Sequence, residues 1–481
     1  MKKYLIIISS AVLLMQLSCT KDITRFNEET KAPSNVPPAT LFSNGVRNLV
    51  DLLADPNVNR NIFRYTVQHW ASTTYQDEPN YDFGTRNIPQ TWWLIMYRNV
   101  LTDLKESKKL ISEIVPGGVN ISAETQKNQL AIIDIMEVYV YSNLVNTFGN
   151  VPYTESNDIE NLFPKYDDAK TIYDDLFVRL DKDIADLDEG AEGFSGVADF
   201  LYGGDVAMWS KFANSLKIRL AMTIADADPA RAKSAFEAAD PNAFTSSADN
   251  AVFHYLKTTP NTNPIWVNLV QSGRADFVAG APLIDKLKEL GDPRLAQYFA
   301  PNNDGDYDGG GIGSNNTYAE TARPSDKVQE ADFPAVILDY SEIEFYRAEA
   351  KERGFTVSGT AEEHYNNAIR ASILDWGGTD AEATLYLAKP AVKYTTAAGT
   401  WKQKIGLQKW IALYNRPATG WLEIRRLDFP VLQPPANPDS GFPNRFNYPA
   451  NEQTLNPENY TKAASDIGGD MVETKLFWDK S

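Results

Sequence analysis

The chain has 481 residues, 43% hydrophobic and 11% aromatic, enough for a real core, so a disordered chain is excluded as the default. Its 46 Lys and Arg against 64 Asp and Glu leave a net charge of −18, which repels nucleic acid and anionic lipid and disfavours a role built on clustered cations around phosphate. The single cysteine, Cys19, excludes an intramolecular disulfide and any cysteine-based metal site.

The chain opens as an export signal. Lys2 and Lys3 precede an apolar run from Leu5 to Leu14, the length of a secretory core and too short to span a bilayer. Leu17-Ser18-Cys19 resembles a bacterial lipobox, with Gln16 where that motif prefers Leu. The resemblance implies cleavage after residue 18 and acylation of Cys19; the alternative is an ordinary signal peptide with an incidental cysteine. Residues 19–40, polar and carrying Pro33, Pro37 and Pro38, read as a flexible tether, and residues 41–481 as a single helical domain.

Apolar residues three and four apart predict helices over Thr40–Asp55 and Asn61–Trp70. Residues 71–87 break the pattern: they are polar, yet carry Tyr75, Tyr81 and Phe83. Pro89 opens a long helix to about Ile114, closed by Pro116-Gly117-Gly118. The helix of Gln129–Tyr153 places Leu130, Ile133, Val140, Leu144 and Phe148 on one side and stops at Gly149 and Pro152. Helices follow over Tyr166–Leu187, Val206–Ala225 and Tyr340–Arg353. The best strand signals are Ala251–Leu256 and Ala335–Leu338.

A small–aromatic–small spacing recurs at Ala169, Tyr173 and Leu176, at Ala232, Phe236 and Ala239, and at Ala361, Tyr365 and Ala368, each time after a helix that can partner it. This is the second-helix pattern of a tetratricopeptide repeat, in which small residues let helices approach and the aromatic fills the groove. The copies do not keep a period of about 34 residues, so long insertions separate them. The expected fold class is mostly α: tetratricopeptide-like helical pairs in one scaffold, with loop-rich insertions at 253–280, 301–318 and 433–460.

Signals for catalysis are thin. His69, His254 and His364 stand in no metal-binding spacing, and there is no nucleophile elbow, phosphate loop or dinucleotide fingerprint. A carboxylate pair of the glycosidase type is not singled out among 64 acids. Asp304-Gly-Asp306-Tyr-Asp308-Gly309 begins like a calcium loop, but its twelfth position is Asn315 rather than a bidentate Glu; a solvated acidic turn is the plainer reading of Asp304, Asp306 and Asp308, with weak structural calcium as the alternative. Flat aromatic rings stack on the apolar faces of sugars while polar neighbours bind hydroxyls. Trp70, Tyr75 and Tyr81, among Gln68, Gln76, Asp77, Asn80 and Asp82, fit that description, as does Trp266 among Asn261, Asn263 and Asn268; the alternative for all four is packing back onto the core.

Several runs resemble one known family, in its order and over nearly the whole chain. Asn146-Thr-Phe-Gly-Asn-Val-Pro-Tyr153, Trp209-Ser-Lys-Phe-Ala-Asn-Ser-Leu-Lys-Ile-Arg-Leu-Ala-Met222, Asp292-Pro-Arg-Leu295, the helix Tyr340–Ala350, Gln408-Lys-Trp-Ile-Ala412, Gly420-Trp-Leu-Glu-Ile-Arg-Arg426 and Asn444–Glu452 are similar to elements of the SusD/RagB outer-membrane lipoproteins of Bacteroidetes. The resemblance implies a surface-exposed, lipid-anchored protein of the outer membrane without catalytic residues. Such a protein captures an oligosaccharide, or in some members a peptide, and hands it to a SusC-like TonB-dependent transporter. It carries no binding residue over by motif, so Trp70, Tyr75, Tyr81 and Trp266 rest on their surroundings alone.

Overall fold

The computed structural model describes residues 36–115 and 121–480. The signal peptide, Cys19, most of the tether and the predicted Pro116-Gly117-Gly118 stop lie outside them.

The chain is mostly helical. Its principal helices are α1 (Pro38–Ala54), α2 (Ile88–Leu94), α3 (Thr102–Ser112), α4 (Ala123–Phe148), α5 (Ala169–Asp186), α6 (Val206–Thr223), α7 (Pro229–Ala239), α8 (Ala281–Leu290), α9 (Tyr340–Glu352), α10 (Ala361–Asp375), α11 (Asp380–Leu387), α12 (Trp401–Ala412), α13 (Pro417–Leu427) and α14 (Pro457–Asp466). Their starts follow from side-chain caps: Ser122, Asp168, Asp205, Asp228 and Asp339 each accept a backbone N–H of the first turn, and Thr360, Thr379 and Thr400 form capping boxes with Glu363, Glu382 and Gln403.

The three expected pairs form: α4 packs on α5, α6 on α7, and α9 on α10. The residues of the repeated pattern lie in the seams. Ala169, Tyr173, Leu176, Ala232, Phe236, Ala239, Tyr365 and Ala368 are all buried, and only Ala361 is half-buried. The seams are also hydrogen-bonded, Tyr173 Oη donating to Asn146 Oδ1 at 2.7 Å and Ser341 Oγ to the Ala368 carbonyl at 2.8 Å. One apolar cluster runs through the helices from Phe42 to Trp478.

Helix α4 differs from its expected one-sided pattern. From Ala131 to Phe148 every residue except Asn143 is buried, because α3, α5 and α6 all pack around it. It ends at Phe148, at the expected glycine stop, with Gly149 at φ 89°. The carbonyls freed there are taken up from the far end of the chain: Asn146 by Arg425 Nη1 at 2.9 Å, Thr147 by the Phe446 N–H at 2.8 Å, and Phe148 by Arg445 Nε at 3.1 Å. Two cations at a helix C-terminus also suit its dipole. The Phe-Gly-Asn-Val-Pro stop thus anchors the C-terminal segment to the central helix.

Two helix boundaries move. The long helix after Pro89 is interrupted, passing from α2 through a π-helical stretch Ile95–Leu101 into α3. The helix expected over Asn61–Trp70 shrinks to Phe63–Thr66, and Trp70 opens a strand. The strands are short and pair over long distances: β1 (Trp70–Ser72) with β3 (Phe277–Ala279), β2 (Ala251–Phe253) with β6 (Ala335–Leu338), and β4 (Phe299–Ala300) with β5 (Arg323–Pro324), all antiparallel. Both strands expected from sequence form, and they pair with each other.

Candidate functional site

Three remote segments meet beside the β1–β3 ladder: residues 73–87, the glycine-rich loop 309–318, and residues 433–443. Asn80 latches them. Its Nδ2 donates to the carbonyls of Gln76 at 2.8 Å and Gly313 at 3.1 Å, its Oδ1 accepts the Asn437 N–H at 2.9 Å, and its own carbonyl accepts the Asp439 N–H at 2.7 Å. Gly313, at φ 68°, is required here: a Cβ would sit 2.0 Å from Asn80 Oδ1. The Ser72 carbonyl takes a hydrogen bond from each neighbouring loop, Gln76 Nε2 at 3.2 Å and Asn316 Nδ2 at 2.8 Å. Gln68 Nε2 donates to the Gln433 carbonyl at 2.6 Å.

This frame holds two half-buried tyrosines, each under a guanidinium. Arg86 lies 4.8 Å over the Tyr75 ring and pairs with the buried Glu78 carboxylate, whose acidity burial weakens. Arg323 lies 5.4 Å over the Tyr318 ring, which rests on the small apolar cluster of Ala71, Val278 and Ile312. A guanidinium over a ring fixes its orientation and supplies planar donors at its edge. Trp266 is also half-buried. It sits on the helical turn Pro264–Trp266, which continues as the π-helical stretch Val267–Gln271 and is capped by Asn263, whose Oδ1 accepts the Ile265 N–H at 2.7 Å, while Asn268 Nδ2 reaches Asp55 Oδ1 at 3.0 Å.

The four aromatic candidates divide. Trp70 is 1% exposed, its Nε1 donates to Tyr414 Oη at 3.0 Å, and Arg64 lies 4.9 Å over its ring. Tyr81 is 3% exposed, and its hydroxyl accepts from Gln68 Nε2 at 3.5 Å. Both rings are core, which corrects the expectation of exposed platform residues. Pairing with β3 buries Trp70, and the left-handed backbone of Tyr81, at φ 69°, accompanies a ring folded back under the loop. Tyr75 and Trp266 keep part of their surface in solvent. The amides expected to face a ligand (Gln68, Asn80, Asn263, Asn268) are spent on holding loops. Tyr318, Arg86 and Arg323 are not among the candidates that sequence alone singles out; an Asn-Asn-Thr-Tyr run closing a glycine-rich loop is the signal that points to Tyr318.

The backbone of the acidic turn is held by an amide. Asn302 Oδ1 accepts the N–H groups of Asp304 at 3.0 Å and Asp306 at 2.9 Å, its Nδ2 donates to Asp308 at 3.3 Å, and Lys288 stands 3.6 Å from Asp308. Among the described residues no three His, Cys, Asp or Glu side chains come together as a metal site. The histidines stay apart. His69 is buried beside the rings of Trp410 and Tyr414, and burial pushes its pKa down to about 3, so it is neutral; His364 bonds Glu344 in the scaffold; His254 is exposed.

Residues 30–449 match a family model described as SusD-like, starch-binding associating with outer membrane. No curated protein matches the chain significantly. Among solved structures, one named a chitin-binding protein is 27% identical, superposes with a TM-score of 0.80, and covers 92% of this chain and 100% of its own. A chitin-binding SusD homolog from Flavobacterium johnsoniae is 23% identical, with a TM-score of 0.75 over 92% of this chain and 99% of its own. A SusD-like protein of Bacteroidetes, AC2a, is 22% identical, with a TM-score of 0.79 over 93% and 100%.

Proposed function

We infer the function from one premise: the chain belongs to the SusD-like family. We propose that it is a non-catalytic capture protein that binds an oligosaccharide through Tyr75, Tyr318 and Trp266 and passes it to a SusC-like TonB-dependent transporter. The observation that carries this reading is the family match over residues 30–449. The half-buried Tyr75 and Tyr318 rings with guanidinium edges support that reading, since they combine flat apolar surface with donors for hydroxyls. The 27% identity to a chitin-binding protein makes chitin fragments the first ligands to try. The second reading, a peptide-binding member of the same system, is the other arm of the test.

Calorimetry with chitin, starch and peptide fragments separates these readings. Saccharide binding without product release is expected, and Tyr75→Ala and Trp266→Ala each weaken it by about 1–3 kcal/mol. Binding of peptide alone overturns the saccharide reading; released sugar products overturn the non-catalytic one.

We also propose that Cys19 is the acylated anchor at the outer membrane. Among the described residues no helix is long and apolar enough to cross a membrane. More than one acyl chain gives stable attachment where one chain alone is marginal. Cys19→Ala should move the protein from the membrane fraction to the soluble one, and continued membrane retention without label from a fatty-acid analogue would count against the anchor.

A further inference from the structure

Away from the loop face, α3, α4 and α5 enclose an open groove of about 590 Å³. Its charge is opposite to that of the molecule. Lys105, Lys108 and Lys109 project from one stripe of α3, Arg179 and Lys182 from one stripe of α5, and Asp134 and Glu137 form a floor on α4. Five cations therefore face two floor carboxylates in a chain whose net charge is −18.

The floor is structural. Lys108 pairs with Asp134 and stands 3.0 Å from Glu137, while Arg179 reaches Asp134 at 2.8 Å and Glu137 at 2.6 Å. The walls are less committed. Lys105 donates only to the carbonyl of Ser156 at 2.7 Å and to its Oγ at 3.0 Å, with no carboxylate in ion-pair reach among the described residues. Among the described residues, the exposed Lys109 and Lys182 pair only along their own helices, with Glu106 and Asp186, in contacts of the kind worth little in water. Among the described residues, Glu137 Oε1 is buried beneath the groove without a hydrogen-bond partner. Asp183 also lines the groove, and burial and the adjacent Asp134 push its pKa up, which weakens its charge.

We propose that this groove is a docking site for an extended acidic polypeptide segment of a partner protein. Carboxylates of the segment engage Lys105, Lys109 and Lys182, above the paired floor of Asp134 and Glu137. A polypeptide fits better than a glycan because, among the described residues, no aromatic side chain lines the groove for a sugar ring to stack on. The site is separate from the saccharide face and stands or falls independently of it.

The test uses the full chain and fluorescent hexaglutamate, with hexaglutamine and a sulfated heparin fragment as comparisons. Hexaglutamate should bind, against the overall repulsion of an acidic protein, and weaken steeply with salt. The double variant Lys109→Glu/Lys182→Glu, changed only at exposed side chains, should lose at least about tenfold in affinity. Lys109→Arg/Lys182→Arg should retain binding, and Lys257→Glu, an exposed lysine outside the groove, should leave it unchanged. Absence of hexaglutamate binding, equal affinity for hexaglutamine, equal affinity in the double glutamate variant, or preference for heparin each overturns the proposal. Saccharide binding in the same variants reports separately on the loop face.

Discussion

Replacing Arg426 by Ala is expected to destabilise the fold by about 3–5 kcal/mol, read as a fall in the chemical denaturation midpoint. The guanidinium is 2% exposed and joins two buried carboxylates, Glu349 at 2.6 and 2.5 Å and Glu423 at 2.7 Å. Both acids have further partners: Arg353 Nε on Glu349 at 2.7 Å, and Lys409 and the Tyr346 hydroxyl on Glu423 at 2.8 Å each. The network ties α9, α12 and α13 together in the interior. Truncation leaves two desolvated carboxylates short of compensating charge, which costs far more than an exposed pair returns.

The same network fixes an acid limit. Burial alone would raise Glu349 and Glu423, but the Arg426 guanidinium outweighs it, with Arg353 aiding at Glu349 and Lys409 at Glu423, and holds both below the usual carboxylate range. A depressed folded-state pKa stabilises above the unfolded value and is lost as pH falls through the folded one. The deficit of Arg426→Ala should therefore be full at neutral pH and narrow in acid. A midpoint that does not change at neutral pH would contradict the assignment, and Arg426→Lys should fall between, keeping charge without the two-pronged geometry.

The features legible in the amino-acid sequence are the local ones. The pairs α4–α5, α6–α7 and α9–α10 show themselves because small–aromatic–small spacing on a helix directly states which side packs. The strand Ala335–Leu338 is visible as a short apolar run. The loop face is different, because it is assembled from contacts across hundreds of positions. Nothing near Trp70 in sequence announces that Phe277–Ala279 will pair with its strand and bury its ring. Asn80 looks the same whether it faces a ligand or three loop backbones. Polar composition locates a loop cluster, but does not say which amides serve the loops themselves. Tyr75 and Trp266 escape burial where Trp70 and Tyr81 do not, and that difference is set by register and by one left-handed residue.

Trp421→Ala should cost a similar amount, about 3–5 kcal/mol, with a different consequence for binding. The ring is 1% exposed, packed 4.9 Å from Phe63 and 5.7 Å from Phe446, with Arg425 3.5 Å over its face. Its Nε1 donates to the Pro443 carbonyl at 2.7 Å, and Arg425 holds the carbonyls of Asn146 and Asn444. Truncation opens a cavity between α13 and the C-terminal segment and frees Pro443, at the end of the latched stretch 433–443. Saccharide affinity should fall together with stability, because Asn80 then pins a segment that has lost its own support. Arg426→Ala, whose damage lies among α9, α12 and α13, should bind normally under conditions where it remains folded. Trp421→Phe separates the two terms: it keeps the stacked ring, loses one hydrogen bond worth about 1 kcal/mol, and should preserve most of the affinity. Equal affinity in Trp421→Ala and the parent protein would show that the loop face is held by Asn80 and Asn316 alone.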